Sequence, residues 1–167
     1  MSTTTTAAPA PSTSATATVR LAYAVRAEPE AVWQALVDGS VTPAYYYGFE
    51  AHFPALQAGA AYRYTAGGGD MITGVVEDVE LGRRLVLTFD GVWAPDIAEL
   101  PTSRVTFEVV EPFMPMPGVT VLRCTHEGLP AGAAADHLEI GWVAILSGLK
   151  TLLETGQPLV AAPGGTR

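Results

Sequence analysis

The most constraining feature of this sequence is a long amphipathic segment near the C-terminus that ends at Gly156. Its large apolar residues recur at steps of three and four, so they share one face of a helix: Leu138, Trp142, Ile145, Leu149, Leu152 and Leu153. Gly156 and the following Pro158 predict the helix stop, because glycine tolerates a left-handed cap and proline cannot continue a helix. A helix with such a stripe must bury it against another large surface.

Two glycines, Gly141 and Gly148, lie inside this predicted helix. Each costs about 1 kcal/mol relative to alanine in a helix interior, so we expect another part of the chain to pack closely against both positions. Trp142 is expected either to fill the core or to line a cavity. The start of the helix is less well defined, because the alanine-rich residues 131–135 could extend it backward from Asp136.

Upstream of this helix, the sequence predicts a strand, a helix and then a run of strands. Val19 to Val25 alternates as a strand does, and Glu28-Pro29-Glu30 is typical of a helix start. The Gly67 to Gly69 run predicts a hairpin loop rather than a phosphate-binding loop, because a strand and not a helix follows it. Five further segments are predicted strands separated by turn signals: 60–64, 71–80, 84–89, 104–111 and 119–126.

This order of elements predicts an α+β fold. We expect a curved antiparallel sheet of about six or seven strands around the long C-terminal helix, since runs of strands bracketed by helices favour such sheets. A sheet curved around a helix leaves a cavity between the two.

Composition indicates one globular domain, since 49% of the 167 residues are hydrophobic. Residues 1–18 contain only Met, Ser, Thr, Ala and Pro, which predicts a disordered tail, with the domain at 19–156 and a flexible tail at 157–167. The first tail lacks the basic start and leucine-rich stretch of a secretory signal. No stretch is apolar for long enough to predict a membrane span.

The net charge, the cysteine content and the histidine spacing limit the classes of partner and cofactor that we expect. A net charge of −8, with one lysine and eight arginines, argues against nucleic acid or an anionic membrane surface, because phosphate binding needs clustered cations. The single Cys124 excludes an internal disulfide and is compatible with a cytoplasmic location. His52, His126 and His137 lack the spacing of a local metal site, so neither metal nor cofactor is expected.

Several segments, taken in this order, resemble a known family. They are residues 28–36 (EPEAVWQAL), 81–89 (LGRRLVLTF), 103–108 (SRVTFE), 122–126 (LRCTH) and the closing helix from Gly141-Trp142 to Gly156. Together they resemble the START-like (SRPBCC) superfamily, and within it the branch named after the C-terminal domain of the heat-shock-protein-90 ATPase activator. The resemblance covers nearly all of residues 19–156 and implies a helix-grip fold with an internal ligand cavity.

The chain departs from this family at three places. Val143 follows the Gly-Trp pair where the family often has proline, and Glu28 stands where the family often has serine or threonine, which are stronger caps. Both changes concern helix starts and leave the fold prediction intact. The third departure, Phe113–Pro117, has an unusual sequence for a hairpin of this branch, and we have no functional interpretation of it.

A cavity under the helix predicts a set of ligand-binding residues. Tyr45, Tyr46 and Tyr47 follow the first helix, where the family's cavity mouth lies, and three adjacent tyrosines cannot all face one way. One or two could offer hydroxyls to a ligand, or all three could form an aromatic hinge on the sheet. The remaining candidates are Trp93 as a cap, His137 at the rim, and Trp142, Ile145 and Leu149 on the helix.

His126 is the best single candidate for a catalytic acid or base. It shares a strand face with Leu122 and Cys124, and the ordinary pKa of histidine suits proton transfer. The alternative is a structural histidine whose ring is hydrogen-bonded by a neighbour at the strand end. Acyl transfer is not supported, because no serine lies in a nucleophile-elbow pattern.

Three functions remain open from the sequence. The first is binding of a hydrophobic small molecule, such as a lipid, a polyketide or an aromatic compound, in the cavity. The second is a cyclase, dehydratase or hydrolase activity that uses His126 and a tyrosine hydroxyl of Tyr45 to Tyr47. The third, co-chaperone-like regulation of a heat-shock-protein ATPase, rests on the name of the family branch alone. The sequence does not fix the oligomeric state.

Overall fold

The computed structural model describes residues 15–160, so residues 1–14 of the tail predicted at 1–18, and residues 161–167 of the tail predicted at 157–167, lie outside the described residues. Residues 16–18 belong to the first strand and not to a tail. The strands are β1 (Thr16–Val25), β2 (Glu50–His52), β3 (Ala61–Ala66), β4 (Gly69–Glu80), β5 (Arg84–Gly91), β6 (Ser103–Val110) and β7 (Thr120–Pro130). The helices are α1 (Pro29–Val37), α2 (Pro95–Ala98) and α3 (Ala133–Thr155), and a 3-10 turn lies at Thr42–Ala44. The first strand thus begins at Thr16, three residues before the predicted Val19.

All seven strands form one curved antiparallel sheet in the order β1-β7-β6-β5-β4-β3-β2. The first strand therefore pairs with the last, and α3 follows β7 directly and packs back across the sheet against β1 and β7. This arrangement confirms the predicted α+β helix-grip fold. No helix of residues 15–160 has the length and apolar character needed to cross a membrane.

The hairpin between β3 and β4 confirms the predicted glycine loop. Ala66 pairs with Gly69, which leaves Gly67 and Gly68 as a two-residue turn with φ values of 59° and 82°. A tight hairpin that matches the twist of its strands needs positive φ at both central residues, and glycine takes this conformation without steric cost.

Two elements, β2 and α2, were not predicted from the sequence. Each has only three or four residues, too few to show a periodic pattern. β2 adds the last strand to the sheet by pairing with β3, and α2 inserts the buried side chain of Ile97 beside β5. Both elements adjoin residues that enclose a cavity beside α3, namely Phe49 before β2, and Asp96 and Ile97 in α2.

The loop between β6 and β7 contains the unusual segment Phe113–Pro117. The side chains of Phe113, Met114 and Met116 are exposed there. The loop lies outside the buried core and does not change the sheet.

The C-terminal helix ends as predicted. Gly156 has φ of 73°, and its N–H group donates to the carbonyl oxygen of Leu152. Near this end Lys150, the only lysine, donates from Nζ to the Ala24 carbonyl at 2.5 Å and to Glu154 Oε1 at 2.6 Å. The Glu154 carboxylate also accepts a hydrogen bond from the Arg26 N–H group. These hydrogen bonds link the last turns of α3 to the end of β1.

The two glycines inside α3 differ in their surroundings. A Cβ at Gly148 would lie 3.2 Å from the Tyr45 Cβ and 3.3 Å from its carbonyl oxygen, which confirms the expected close contact. A Cβ at Gly141 would meet no atom within 4 Å. The prediction of a close contact was therefore wrong at Gly141, because the chain leaves an open space in front of it.

We predict opposite behaviour for alanine at these two positions. Gly141→Ala should raise the free energy of unfolding by about 1 kcal/mol, because alanine favours the helix and its methyl group meets no neighbour. Gly148→Ala should gain clearly less, or lose stability, because its methyl group presses on Tyr45. Urea denaturation of both variants measures the difference, and a loss of stability in Gly141→Ala would contradict the open space described here.

Candidate ligand-binding cavity

A cavity of about 410 Å³ opens between the first half of α3, the segment that follows the 3-10 turn, and the loop from β5 to α2. Its volume falls within the usual range for small-molecule sites, roughly 300–1,000 Å³. Five aromatic side chains form much of its wall: Tyr46, Tyr47, Phe49, Trp93 and Trp142.

The first half of α3 supplies one side of this cavity through residues three and four positions apart. Leu138, Gly141, Trp142 and Ile145 face it together with His137. Gly141 leaves room by having no side chain. One turn after Ile145, the same face of the helix packs into the buried core, where Leu149 is 0% exposed. The cavity therefore lies under the beginning of the helix and not under its full length.

The three adjacent tyrosines point to three different places. Tyr45 is buried, and its hydroxyl donates to the Ala35 carbonyl at 2.6 Å. Tyr46 is 5% exposed and lines the cavity, whereas Tyr47 is 60% exposed and lies at its mouth. The backbone makes this separation by entering the left-handed region at Tyr47, where φ is 53°. A bulky residue with positive φ is uncommon and costs backbone strain.

The Tyr46 hydroxyl forms no hydrogen bond to any of residues 15–160, and no fully buried side-chain polar atom in that range lacks a partner. Since Tyr46 lines the cavity, its hydroxyl is a candidate hydrogen-bond partner for a ligand. Burial, with a further contribution from Tyr64, raises the pKa of Tyr46 well above its ordinary value. The group is thus a neutral phenol that can both donate and accept a hydrogen bond.

A groove of about 730 Å³ lies on the other side of Tyr47. Its walls include Pro43, Ala144, Gly148 and Leu159. Tyr47 lines both spaces, so the groove and the aromatic cavity adjoin at this residue.

His126 lies behind the cavity wall, fully buried in a hydrogen-bond chain. The Trp142 Nε1–H group donates to His126 Nδ1 at 3.0 Å, so the ring proton belongs on Nε2, which lies 2.7 Å from Ser103 Oγ. The Ser103 hydroxyl can then donate to the Phe89 carbonyl at 3.3 Å. Burial lowers the pKa of His126 to about 4, so the ring is neutral near pH 7.

The structure separates the predicted cavity residues into two groups. Those that line the cavity are Tyr46, Tyr47, Trp93, His137, Trp142 and Ile145. Three others do not. The hydroxyl of Tyr45 is held by Ala35, His126 is covered by Trp142, and Leu149 lies in the filled core.

Sequence patterns alone did not identify five lining residues outside the C-terminal helix. They are Phe49, Ile72, Ala94, Asp96 and Ile97. Asp96 and Ile97 belong to the single turn of α2, and Ile72 faces the cavity from β4, where either strand face could have pointed inward. The proline before Asp96 was the one available sign of a helix start.

The described residues also show no assembled metal site. Between residues 15 and 160, no three side chains of the His, Cys, Asp or Glu type come together in a way that could hold an ion. His52 instead bonds Thr65 Oγ1 at 2.8 Å, away from His126 and His137.

The curved antiparallel sheet, the C-terminal helix and the cavity beside it define a START-like (SRPBCC) protein. Within that class the chain belongs to the family described as Activator of Hsp90 ATPase homolog 1-like protein, which matches residues 26–154. No curated protein matches this chain.

Three solved structures illustrate the similarity. DynU16, a protein in the dynemicin biosynthetic locus, is 26% identical with a TM-score of 0.63; the match covers 84% of this chain but only 48% of DynU16. MLL2253 from Mesorhizobium loti is 24% identical with a TM-score of 0.66, covering 83% of this chain and 97% of that protein. The Aha1 dimer from Colwellia psychrerythraea is 17% identical with a TM-score of 0.64, covering 84% and 98%. The last two show a shared fold alone.

We predict that His126 makes the protein less stable in mild acid. Its pKa is about 4 in the folded protein and an ordinary 6.5 once unfolded, so between these values the unfolded chain binds the proton and the native chain does not. The free energy of unfolding should fall by roughly 3 kcal/mol as the pH is lowered through this window.

Urea denaturation at several pH values between about 5 and 7 measures this effect before most carboxylates titrate. The matched control is His126→Gln, whose amide can accept from Trp142 and donate to Ser103 without titrating. The variant should show a flatter dependence on pH. An equal slope in both proteins would contradict the assignment to His126.

Proposed function

We propose that this protein binds a small, mostly apolar molecule with an aromatic body in the cavity beside α3. The observation that carries the proposal is the convergence of five aromatic side chains on one space of about 410 Å³. Binding sites for small molecules combine such apolar walls with a few polar groups that fix the orientation.

The aromatic walls and the Tyr46 hydroxyl have different roles in the proposed ligand binding. The aromatic rings remove apolar ligand surface from water, at about 25 cal/mol per Å² buried. Tyr46 then favours a ligand that places an oxygen or nitrogen at its hydroxyl, since a typical hydrogen bond contributes about 0.5–1.5 kcal/mol. The rings therefore supply affinity, and the hydroxyl supplies orientation.

The aromatic rings of the cavity wall support one another through direct contacts. Tyr46 stacks on Phe49 with centroids 5.9 Å apart, and it meets Trp142 edge-on at 5.8 Å. Trp142 is in turn held by His126. A wall fixed in this way loses little side-chain freedom when a ligand enters, which favours binding.

The similarity to DynU16 agrees with this proposal. That protein lies in the dynemicin biosynthetic locus, and it shares 26% identity with this chain. On the strength of the aromatic lining, a polyketide or another aromatic compound is our preferred ligand class. We place the protein in the cytoplasm, where its free and buried Cys124 would stay reduced.

The two alternatives gain no comparable support from the geometry. An enzyme that uses His126 as its base would need that ring in the cavity, and it is instead buried and bonded on both nitrogens. Co-chaperone-like regulation still rests on the description of the family.

We predict that filling the cavity abolishes binding without unfolding the protein. Gly141→Phe should weaken the binding of 9-anthracenemethanol by about tenfold or more, because the new ring occupies the open space beside Trp142. Fluorescence anisotropy of the probe gives the Kd, and native mass spectrometry of the purified protein shows whether a ligand copurifies.

The control carries the same new ring on the outside of the helix. Val143 is exposed and does not line the cavity, so Val143→Phe should bind the probe as the unchanged protein does. Equal weakening in both variants, or no binding by the unchanged protein, would contradict the proposal.

A further inference from the structure

We infer that the cavity selects ligands that carry a positive charge, such as a protonated amine, beside their aromatic or apolar body. This inference rests on the proposed function and specifies its ligand class. Three features of the described residues carry it: the charge on the lining, the arrangement of the rings and the open Tyr46 hydroxyl.

The first feature is the one-sided charge of the lining. Asp96 is the only carboxylate among the lining residues, and no lysine or arginine of residues 15–160 lines the cavity. No described lysine or arginine forms an ion pair with Asp96 either. The negative charge is thus not neutralised by a side chain in the described part of the chain, and an anionic ligand would be repelled.

The fold holds the Asp96 backbone at the edge of the cavity, where the residue is exposed to solvent. Asp96 lies in the turn α2, directly before Ile97, whose side chain is buried. Trp93, three residues earlier in the same loop, packs on Phe49 with centroids 6.4 Å apart and on Phe89 at 6.0 Å. The two anchors hold the Asp96 backbone at the edge of the aromatic wall.

The second feature is the aromatic wall, which also favours a cation. The faces of Trp, Tyr and Phe rings carry partial negative charge, and a cation within about 6 Å of a ring centroid gains about 0.5–2 kcal/mol. Trp93, Phe49 and Tyr46 follow one another at 6.4 Å and 5.9 Å, so an amine near Asp96 would have rings beside it. The same faces attract neither a carboxylate nor a phosphate.

The third feature is the Tyr46 hydroxyl, whose oxygen has no partner among residues 15–160. Its lone pairs can accept from an ammonium N–H group, which adds a neutral polar contact to the carboxylate and the rings. The net charge of −8 adds a long-range contribution, because a negative protein raises the local concentration of cations.

The test uses three fluorescent probes that share one ring system and differ in charge. They are 9-anthracenemethylammonium, 9-anthracenemethanol and 9-anthracenecarboxylate, titrated at low salt and about pH 8, where imidazoles are neutral. The cation should bind about tenfold more tightly than the alcohol, and the carboxylate about tenfold more weakly. Asp96→Asn should remove most of the cation's advantage and leave the alcohol's Kd unchanged.

Glu139→Gln is the matched control, because it removes one carboxylate from the exposed surface of α3, outside the cavity lining. It should keep the full preference for the cation. Equal binding of cation and alcohol, or a preference that survives Asp96→Asn, would overturn this inference and leave the proposed function standing. Failure of all three probes to bind the unchanged protein would overturn both.

Discussion

The hydrogen bond from Trp142 to the buried His126 is the interaction on which the rest of the structure depends. The apolar stripe of α3 drives the helix onto the sheet and selects the face that turns inward, but hydrophobic burial is non-directional and does not fix the fine rotation of the helix. A buried hydrogen bond does, because an unpaired indole N–H or imidazole nitrogen would cost about 1–3 kcal/mol. His126 therefore fixes the Trp142 ring, and Ser103 fixes His126 from the neighbouring strand.

The cavity follows from this fixed ring. With Trp142 held against the sheet, the preceding Gly141 faces the cavity, and the segment after α1 contacts the helix about two turns later, at Gly148. The loop that carries Trp93 and the residues Tyr46 to Phe49 then enclose the space beside the first half of α3. An empty space in a protein core normally costs stability, so a wall in which each aromatic ring rests on another is what keeps this one open.

Most of the fold, but only part of the candidate site, could be predicted from the sequence. The helix stripe, the strand alternation and the glycine turn each reflect a local rule, and each was found where the pattern placed it. The positions of Tyr45 to Tyr47 depend on one residue with positive φ, which side-chain patterns do not reveal. The burial of His126 behind Trp142 depends on β7 and α3, which meet only in the folded chain. Asp96 lies in α2, a single turn too short to show a helical pattern of apolar residues. Long-range contacts of this kind lie beyond what spacing along one chain can predict.

Tyr47 has a consequence for the size of what this fold can accommodate. This residue lines both a cavity of about 410 Å³ and a groove of about 730 Å³; its backbone is left-handed and its side chain is exposed. The sheet and α3 are rigid on the scale of a ligand, whereas an exposed tyrosine changes rotamer within nanoseconds. The orientation of this one side chain therefore affects how far an occupant of the cavity can extend toward the groove.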